Sequence, residues 1–310
     1  MTNLTYVYLL TPLHTGGSSQ EGNLMGIARE VHTEFPYLPA SSLRGKIRSQ
    51  LEQTQSEQTQ LEQAISKEAG TFFGEKIKDG QQPTEGEVWF ADATLLLFPI
   101  ASLSHHLVWV TCPLWLKRWN RWLKSSPLTE TIQQCQQKLA GDKSALVSFE
   151  TSALFLQTAL LKERDLEQVN SDKLKKRDLE QVKFDKLLSN LEPICKQNPM
   201  LNQLNEKLVV LTDADCLALV ETGLQREVRV ALKEGTKIVQ GGSFRSEEAI
   251  PPEAVLFFPW GLKKAQDEKK TAIIRQEIFQ LLNKKLQFGG LEGLGRGWTS
   301  LTTQKSEEKS

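Results

Sequence analysis

Two short segments, far apart in the chain, carry residue types that can hold a phosphate backbone. They are PYLPASSLRGKIRS at 36–49 and FGGLEGLGRGW at 288–298. In the first, Ser41 and Ser42 stand where a helix would begin, so free backbone N–H groups would face an anion. Arg44, Lys46 and Arg48 follow on the first turns. Positive charge there opposes the helix dipole at a cost of about 0.3–1 kcal/mol each, which a bound polyanion would offset. An ordinary capped helix with solvated bases is the alternative. In the second segment, Gly289, Gly290, Gly295 and Gly297 leave the backbone bare enough for another backbone to come close. Arg296 is then placed to pair with a phosphate. A plain glycine-rich turn is the alternative there. A dinucleotide loop needs a following helix, and only a strand-like segment and a tail remain. Gly290 and Gly295 have phosphate-loop spacing, but Arg296-Gly297 stands in place of Lys-Ser/Thr.

A third basic group is Arg226, Arg229, Lys233, Lys237 and Arg245, on an alternating stretch that reads as a hairpin over 225–245. Alternation puts Arg226 and Arg229 on opposite faces. Such a hairpin can equally be an edge guarded by charge. Catalytic sets are thin. Of His14, His32, His105 and His106, only His14, beside Gly16-Gly17, suggests a general base, and a strand-end histidine explains it as well. Asp92, Asp213 and Asp215 read as turn and cap residues. No Gly-x-Ser-x-Gly, His-Glu-x-x-His or calcium-loop pattern occurs, so no metal ligand set is expected. Cys112, Cys135, Cys195 and Cys216 form no Cys-x-x-Cys pair, which argues against a zinc ribbon or disulfide framework and fits a reducing cytoplasm. Lys plus Arg and Asp plus Glu are 38 each, so any basic groove must arise from the distribution of charge. No apolar run reaches the roughly 18 residues of a membrane span, and the start lacks a basic leader region.

The elements that must position these residues follow from periodicity. Residues 5–12 read as a strand and 14–26 as a long loop. A helix capped by Ser41-Ser42 is expected over 43–68, stopping near Gly70. Buried strands are expected at 86–98 and 106–112. Pro113 opens a helix through Lys124, with Trp115, Trp119 and Trp122 at i, i+4 and i+7. Lys117, Arg118, Arg121 and Lys124 take much of the rest. This helix is core-facing with a solvated back, a basic surface for RNA or a partner, or a membrane-surface helix. Residues 162–187 are a tandem duplication, KERDLEQVNSDKL then KKRDLEQVKFDKL. Thirteen residues come within about 20° of whole helical turns, so the copies are expected to extend one helix in register. A strand at 208–212, a helix from Asp213 to Gly223, the hairpin, a strand at 253–260, a helix at 265–286 and a strand at 298–303 complete the chain. The pattern predicts an α+β fold, a ferredoxin or RRM-like palm with helical insertions and a thumb β-hairpin, in one domain over 1–303 with a disordered tail at 304–310.

Five ordered segments together resemble the RAMP superfamily. They are LTPLHTGG, IAREVHTEFPYLPASSLRGKIRS, the central 86–119 stretch, the 209–258 stretch and the terminal GGLEGLGRG. The central and 209–258 segments are most similar to the fourth-subunit family of type III-B (Cmr) CRISPR effector complexes. The resemblance omits the duplication. It implies a guide-RNA-binding subunit that stacks in several copies as a helical filament, binds target RNA and meets other Cmr-type subunits, with a thumb at about 224–252. It aligns Ser41, Ser42, Arg44 and Arg48 with a guide-contacting Ser-Ser-Leu-Lys-Gly motif, with Arg44 for Lys and Ala40 for the preceding Gly. It aligns Gly289, Gly290, Gly295 and Gly297 with the family's glycine-rich loop. Lys46, Arg226, Arg229, Lys237 and Arg296 join the expected RNA-binding set. One departure concerns the loop aspartate that serves metal-dependent cleavage of target RNA in the family. It falls here on Asn23 or Leu24, and Glu21 is the nearest acid. Three functions stay open at this point. The chain is a scaffold without cleavage, a scaffold with an Mg²⁺- or Mn²⁺-dependent ribonuclease using Glu21, or a stand-alone guide-processing ribonuclease with His14 as base.

Overall fold

The computed structural model describes residues 2–21, 24–54, 69–74, 84–141, 143–151, 153–157, 159–162, 178–231, 234–236, 244–263 and 268–304. In chain order these hold β1 (Thr2–Leu9), β2 (Gly16–Glu21), β3 (Leu24–Ile27), β4 (Tyr37–Leu38), α1 (Ala40–Thr54) and α2 (Ala69–Phe73). Then come β5 (Val88–Phe90), β6 (Ala93–Ser102), β7 (His106–Thr111), α3 (Pro113–Leu123), α4 (Ser126–Ala140) and β8 (Lys143–Val147). They continue with β9 (Ala153–Leu156), β10 (Ala159–Lys162), β11 (Asp178–Gln181), α5 (Asp185–Gln197), β12 (Leu208–Leu211) and α6 (Asp213–Gly223). The last are β13 (Gln225–Arg229), β14 (Arg245–Ala249), β15 (Val255–Leu262), α7 (Glu268–Leu281), β16 (Lys285–Gln287) and β17 (Trp298–Gln304).

Two strands with almost no polar interruption organise the large sheet. All eight residues of β15, VLFFPWGL, are buried, as expected of a strand covered on both faces. It runs antiparallel to β1, with Tyr6 opposite Phe257. Because side chains alternate, β1 feeds two separate cores. Val7 and Leu9 join Leu43 and Ile47 of α1 and Ile274 and Ile278 of α7. Tyr6 and Tyr8 join Trp119 of α3, Ile132 of α4 and Leu191 of α5. Trp119 Nε1–H donates to the Tyr6 hydroxyl at 3.1 Å, which satisfies both buried polar groups. The sheet runs β11-β8-β12-β7-β6-β15-β1-β17-β16, with helices on both faces. This is the α+β palm expected from the pattern of elements.

A second, four-stranded sheet, β13-β14-β3-β2, corrects the reading of residues 14–26 as a loop. Gly16–Glu21 and Leu24–Ile27 pair antiparallel, and β3 adds in parallel to β14, with Glu247 opposite Met25. The strand is made by a partner more than 200 residues away, which a local glycine count cannot register. The thumb strands also differ from expectation. Arg229 pairs with Arg245, so the described return strand, Arg245–Ala249, begins where the expected 225–245 hairpin was to end. Residues 232–233 and 237–243, including Lys233 and Lys237, lie outside the described residues.

The duplication is corrected more sharply. Asp178–Gln181 of the second copy is a strand, parallel to β8, and the helix starts only at Asp185. Leu179 is 8% exposed and Phe184 1%, so this copy packs into the cores. Helical period is a weak constraint on four residues beside an open sheet edge. Residues 163–177, most of the first copy, lie outside the described residues, as do 55–68 of the expected long helix and the tail 305–310. Gly70 lies inside α2 rather than stopping a helix. The helix expected over 265–286 ends at Leu281, and 285–287 form β16.

Caps are set by the tertiary structure too. Ala40, not a serine, begins α1, and its N–H donates to Asp92 Oδ1 at 2.7 Å. Asp213 does not cap its own helix. Thr212 does, accepting from Asp215 N–H at 3.1 Å, while Asp213 Oδ1 accepts from Leu114 N–H at the start of α3. On α3, Trp115 and Trp119 are fully buried, but Trp122 emerges 42% exposed. No helix among the described residues is long and apolar enough to cross a membrane.

Candidate nucleic-acid interface

Helix α1 and the glycine-rich loop meet. Lys46 Nζ donates to Glu292 Oε1 at 3.1 Å, joining the two segments singled out by sequence although 246 residues separate them. Ser41 and Gly45 are exposed one turn apart on α1, and Ser42 is half-buried. Leu43 and Ile47 pin the opposite face into the core.

The glycines divide into two kinds. Gly289 (φ +82°) and Gly297 (φ +80°) hold left-handed backbone, and a Cβ on either would run into a carbonyl oxygen, of His14 or of Phe288. Gly290 N–H donates to His14 O at 2.8 Å, so the loop is stitched to the end of the first strand segment. Gly293 and Gly295 have nothing within 4 Å of a built Cβ. The inner glycines shape the loop, and the outer ones leave its rim bare.

The expected arginines are turned inward. Arg44 Nη2 donates to Phe73 O at 2.6 Å, and Arg48 Nη1 donates to Gly74 O at 2.9 Å. Both therefore satisfy carbonyls at the C-terminal end of α2, and Arg48 also pairs with Glu52 one turn on, at 2.9 Å. Arg296 is 5% exposed, and its guanidinium lies 2.6 Å from Glu227 Oε2 on β13. Arg296, expected to pair with a phosphate, is paired here with a thumb carboxylate. Arg296 holds the Glu227 carboxyl below its ordinary 4.5. A depressed carboxyl stabilises above the unfolded value and loses that stabilisation as pH falls through the folded one, so this contact weakens in acid.

Glu227 belongs to an ion-pair network at the thumb base. Arg226 reaches Glu248 at 3.1 Å, and Arg229 reaches Glu247 at 2.9 Å and Glu227 at 3.4 Å. Arg29 bridges Glu221 of α6 and Glu248 of β14. Its guanidinium stays charged despite partial burial, because both carboxylates outweigh the desolvation. Glu247 and Glu248 are 6% and 2% exposed, so these arginines supply the countercharge that their burial requires. Arg226 and Arg229 do fall on opposite sides in the β ladder, yet both are spent on the network. Sequence reasoning missed Arg29, Glu227 and Glu248. The near-alternation of Arg226-Glu227 with Glu247-Glu248 across a hairpin was the available signal, and the shifted register concealed it.

His14 is buried at 4%, with Nδ1 2.7 Å from Glu248 O. A carbonyl only accepts, so Nδ1 carries the proton and the ring ties the first strand segment to the thumb. That is a structural role, not the posture of a free base. Glu21 closes β2, its backbone opposite Leu24, and Leu24 lies opposite Ser246 of the thumb. Asn23 lies outside the described residues. Among the described residues no three His, Cys, Asp or Glu side chains are grouped to hold a metal ion.

A family profile described as the RAMP superfamily matches residues 6–300. The CRISPR system Cmr endoribonuclease Cmr4 of Pyrococcus furiosus is 26% identical, with 97% of this chain and 95% of that protein covered. Two solved structures share the fold. Oligomeric Cmr4 from Pyrococcus furiosus is 22% identical and superposes with a TM-score of 0.63 over 99% of this chain and 100% of that one. A chain of the type III-B Cmr-beta complex bound to cognate target RNA is 20% identical, with a TM-score of 0.70 over 98% and 97%. A profile match over nearly the whole length, on a palm whose α1 and glycine-rich loop meet beside a thumb, places this chain in the RAMP superfamily.

Proposed function

We propose that this chain is a CRISPR guide-RNA-binding backbone subunit of a type III-B effector complex, working in the cytoplasm in antiviral defence. It stacks in several copies along the guide, contacts other Cmr-type subunits and binds complementary target RNA. The whole-length likeness to proteins named for that complex supports the reading. The observation that carries it is Gly45. It sits exposed inside α1, and a Cβ there would meet nothing within 4 Å. Glycine inside a helix costs about 0.5–1 kcal/mol relative to alanine, and no contact among the described residues calls for it. A polyanion lying across α1 and the bare rim at Gly293 and Gly295 does call for it. Backbone N–H groups, Ser41 and the Lys46 ammonium then meet phosphates without regard to sequence.

Gly45→Leu tests this directly. Guide RNA affinity should fall about tenfold or more, roughly 1.4 kcal/mol. The melting temperature should hold or rise slightly, because leucine is the better helix former. Unchanged affinity would remove the assigned face.

We further propose that the subunit binds target RNA without cutting it. Cleavage assisted by Mg²⁺ or Mn²⁺ needs an anionic oxygen near the scissile phosphate. Neither an Asn23 amide nor Leu24 supplies one. The ribonuclease reading keeps one support, since Leu24 borders the thumb strand β14, beside which a bound target would lie. Guide-loaded complex given end-labelled target in Mg²⁺ or Mn²⁺ should yield no stepped products, and Leu24→Asp should restore them. Stepped products from the unaltered chain that vanish with Glu21→Ala would establish the ribonuclease instead.

A further inference from the structure

The glycine-rich loop ends on a tryptophan that neither core takes in. Trp109, Trp115, Trp119 and Trp260 are fully buried, but Trp298 is 43% exposed. It is nonetheless fixed. Its N–H donates to Thr11 Oγ1 at 2.9 Å, and its carbonyl accepts from Leu10 N–H at 2.8 Å. It opens β17 directly opposite Gln287, the last residue of β16, so the two side chains share one face of the sheet. Leu286 and Leu301 point the other way, into the core beneath α1. The loop between Gln287 and Trp298 meets α1 on one side and these two side chains on the other, and Glu292 is held from both. Its carboxylate accepts from Lys46 Nζ at 3.1 Å, and its carbonyl accepts from Gln287 Nε2 at 3.0 Å. Gln287 Nε2 also donates to Arg296 O at 2.8 Å, which lays the rim against the Gln287 amide. From α1 through Glu292 and Gln287 to Trp298, each step is a hydrogen bond or a cross-strand pair.

A strand whose phosphates lie on α1 and the rim still has its bases to place. Gly293 and Gly295 put no side chain in the way, and beyond them stands a fixed indole. Aromatic side chains beside a phosphate track are where unpaired bases stack. A paired duplex offers no such base, because its base faces are covered by its own neighbours. A carboxylate-rich or phosphate-only ligand has no use for an indole. A protein partner fits poorly as well. Trp298 and Leu294 are the large apolar side chains exposed along 284–304, whereas a stable protein interface buries about 800 Å² on each side around an apolar centre. We infer that Trp298 is the stacking platform for one unpaired base of the RNA strand that crosses the glycine-rich rim. This rests on the assignment of RNA to the α1 and glycine-loop face, and adds a base contact to the phosphate contacts proposed there. The platform is indifferent to sequence, because every base has a π-face.

The test measures binding of the full chain to a fluorescent single-stranded RNA and to an abasic strand of equal length, across a salt series. Trp298→Ala should weaken binding of the ordinary strand about fivefold or more and leave the abasic strand unaffected. The slope of log K against log salt should stay as it is, since no phosphate contact is lost. Trp298→Phe should keep most of the affinity, which guards against an alanine variant that misfolds. Photo-crosslinking from 4-thiouridine should label the 285–304 peptide of the unaltered chain. Equal loss on both strands with Trp298→Ala would overturn the inference, as would no loss on either. A change in oligomer size without RNA, at unchanged RNA affinity, would assign Trp298 to a contact between copies and overturn it as well. Gly45→Leu, run alongside, separates the two readings. If it weakens both strands while Trp298→Ala does nothing, the platform falls and the α1 face stands. If it changes neither while Trp298→Ala weakens only the ordinary strand, the α1 face falls and the stacked base stands.

Discussion

Gly297→Ala should destabilise the fold by about 4 kcal/mol or more and abolish RNA binding with it, because two penalties coincide there. The φ of +80° alone costs an L-residue about 1–3 kcal/mol. The added methyl would also lie inside the contact radius of Phe288 O and 3.0 Å from Phe288 C. Neither atom can yield, since both belong to backbone that Phe288 N–H and Gly297 O tie together at 2.9 Å. Gly297 N–H is held in turn by Pro12 O at 2.8 Å, so moving the residue pulls on the segment that follows β1. Two neighbours serve as internal controls. Gly295→Ala meets open space and should cost only about 1 kcal/mol for its positive φ. Gly293→Ala meets open space with no such φ and should be neutral or stabilising by up to about 1 kcal/mol. Urea denaturation of the three variants checks the order. A Gly297→Ala midpoint matching that of Gly295→Ala would show that the loop relaxes more readily than its hydrogen bonds imply.

The second large effect comes from removing one copy of the duplication. Deleting 162–174 leaves the residues from β11 through α5 unchanged, with Lys175 taking the place of Lys162. Deleting 175–187 shortens the chain equally, yet the retained copy carries Glu, Asn and Ser where the other has Lys176, Lys183 and Phe184. The loss common to both deletions cancels in the comparison, and what remains is mainly Phe184→Ser. Phe184 is 1% exposed and packs with Leu187 and Leu191 in the α3–α5 core. Losing a buried phenylalanine costs about 3–5 kcal/mol. A serine at the N-cap position, which Phe184 occupies on α5, returns at most about 1 kcal/mol. The 175–187 deletion should therefore melt about 5 °C or more below the 162–174 deletion. Restoring phenylalanine at that one serine should recover most of the gap. Equal melting temperatures would show that Phe184 is replaceable in its core.

What the sequence determined by itself is the local part. Buried strands announce themselves by unbroken apolar runs, as in β15 and β6, and α3 by its tryptophan spacing after Pro113. The glycines that shape the terminal loop were legible because no other residue tolerates their backbone. The five ordered segments were enough to point to the superfamily that the profile match then showed. What only the tertiary structure decided is whatever depends on a distant partner. A strand at 16–21 forms because β3 finds β14, and a strand at 178–181 forms because β8 offers an edge, so neither is written in local periodicity. The same holds for charge. Arg44, Arg48, Arg226, Arg229 and Arg296 read alike in sequence as candidate phosphate ligands. Folding pairs each with a carbonyl or a carboxylate, because a guanidinium drawn toward the interior must be compensated there. Lys117, Arg121 and Lys124 face solvent because α3 turns Trp115 and Trp119, not its cations, into the core.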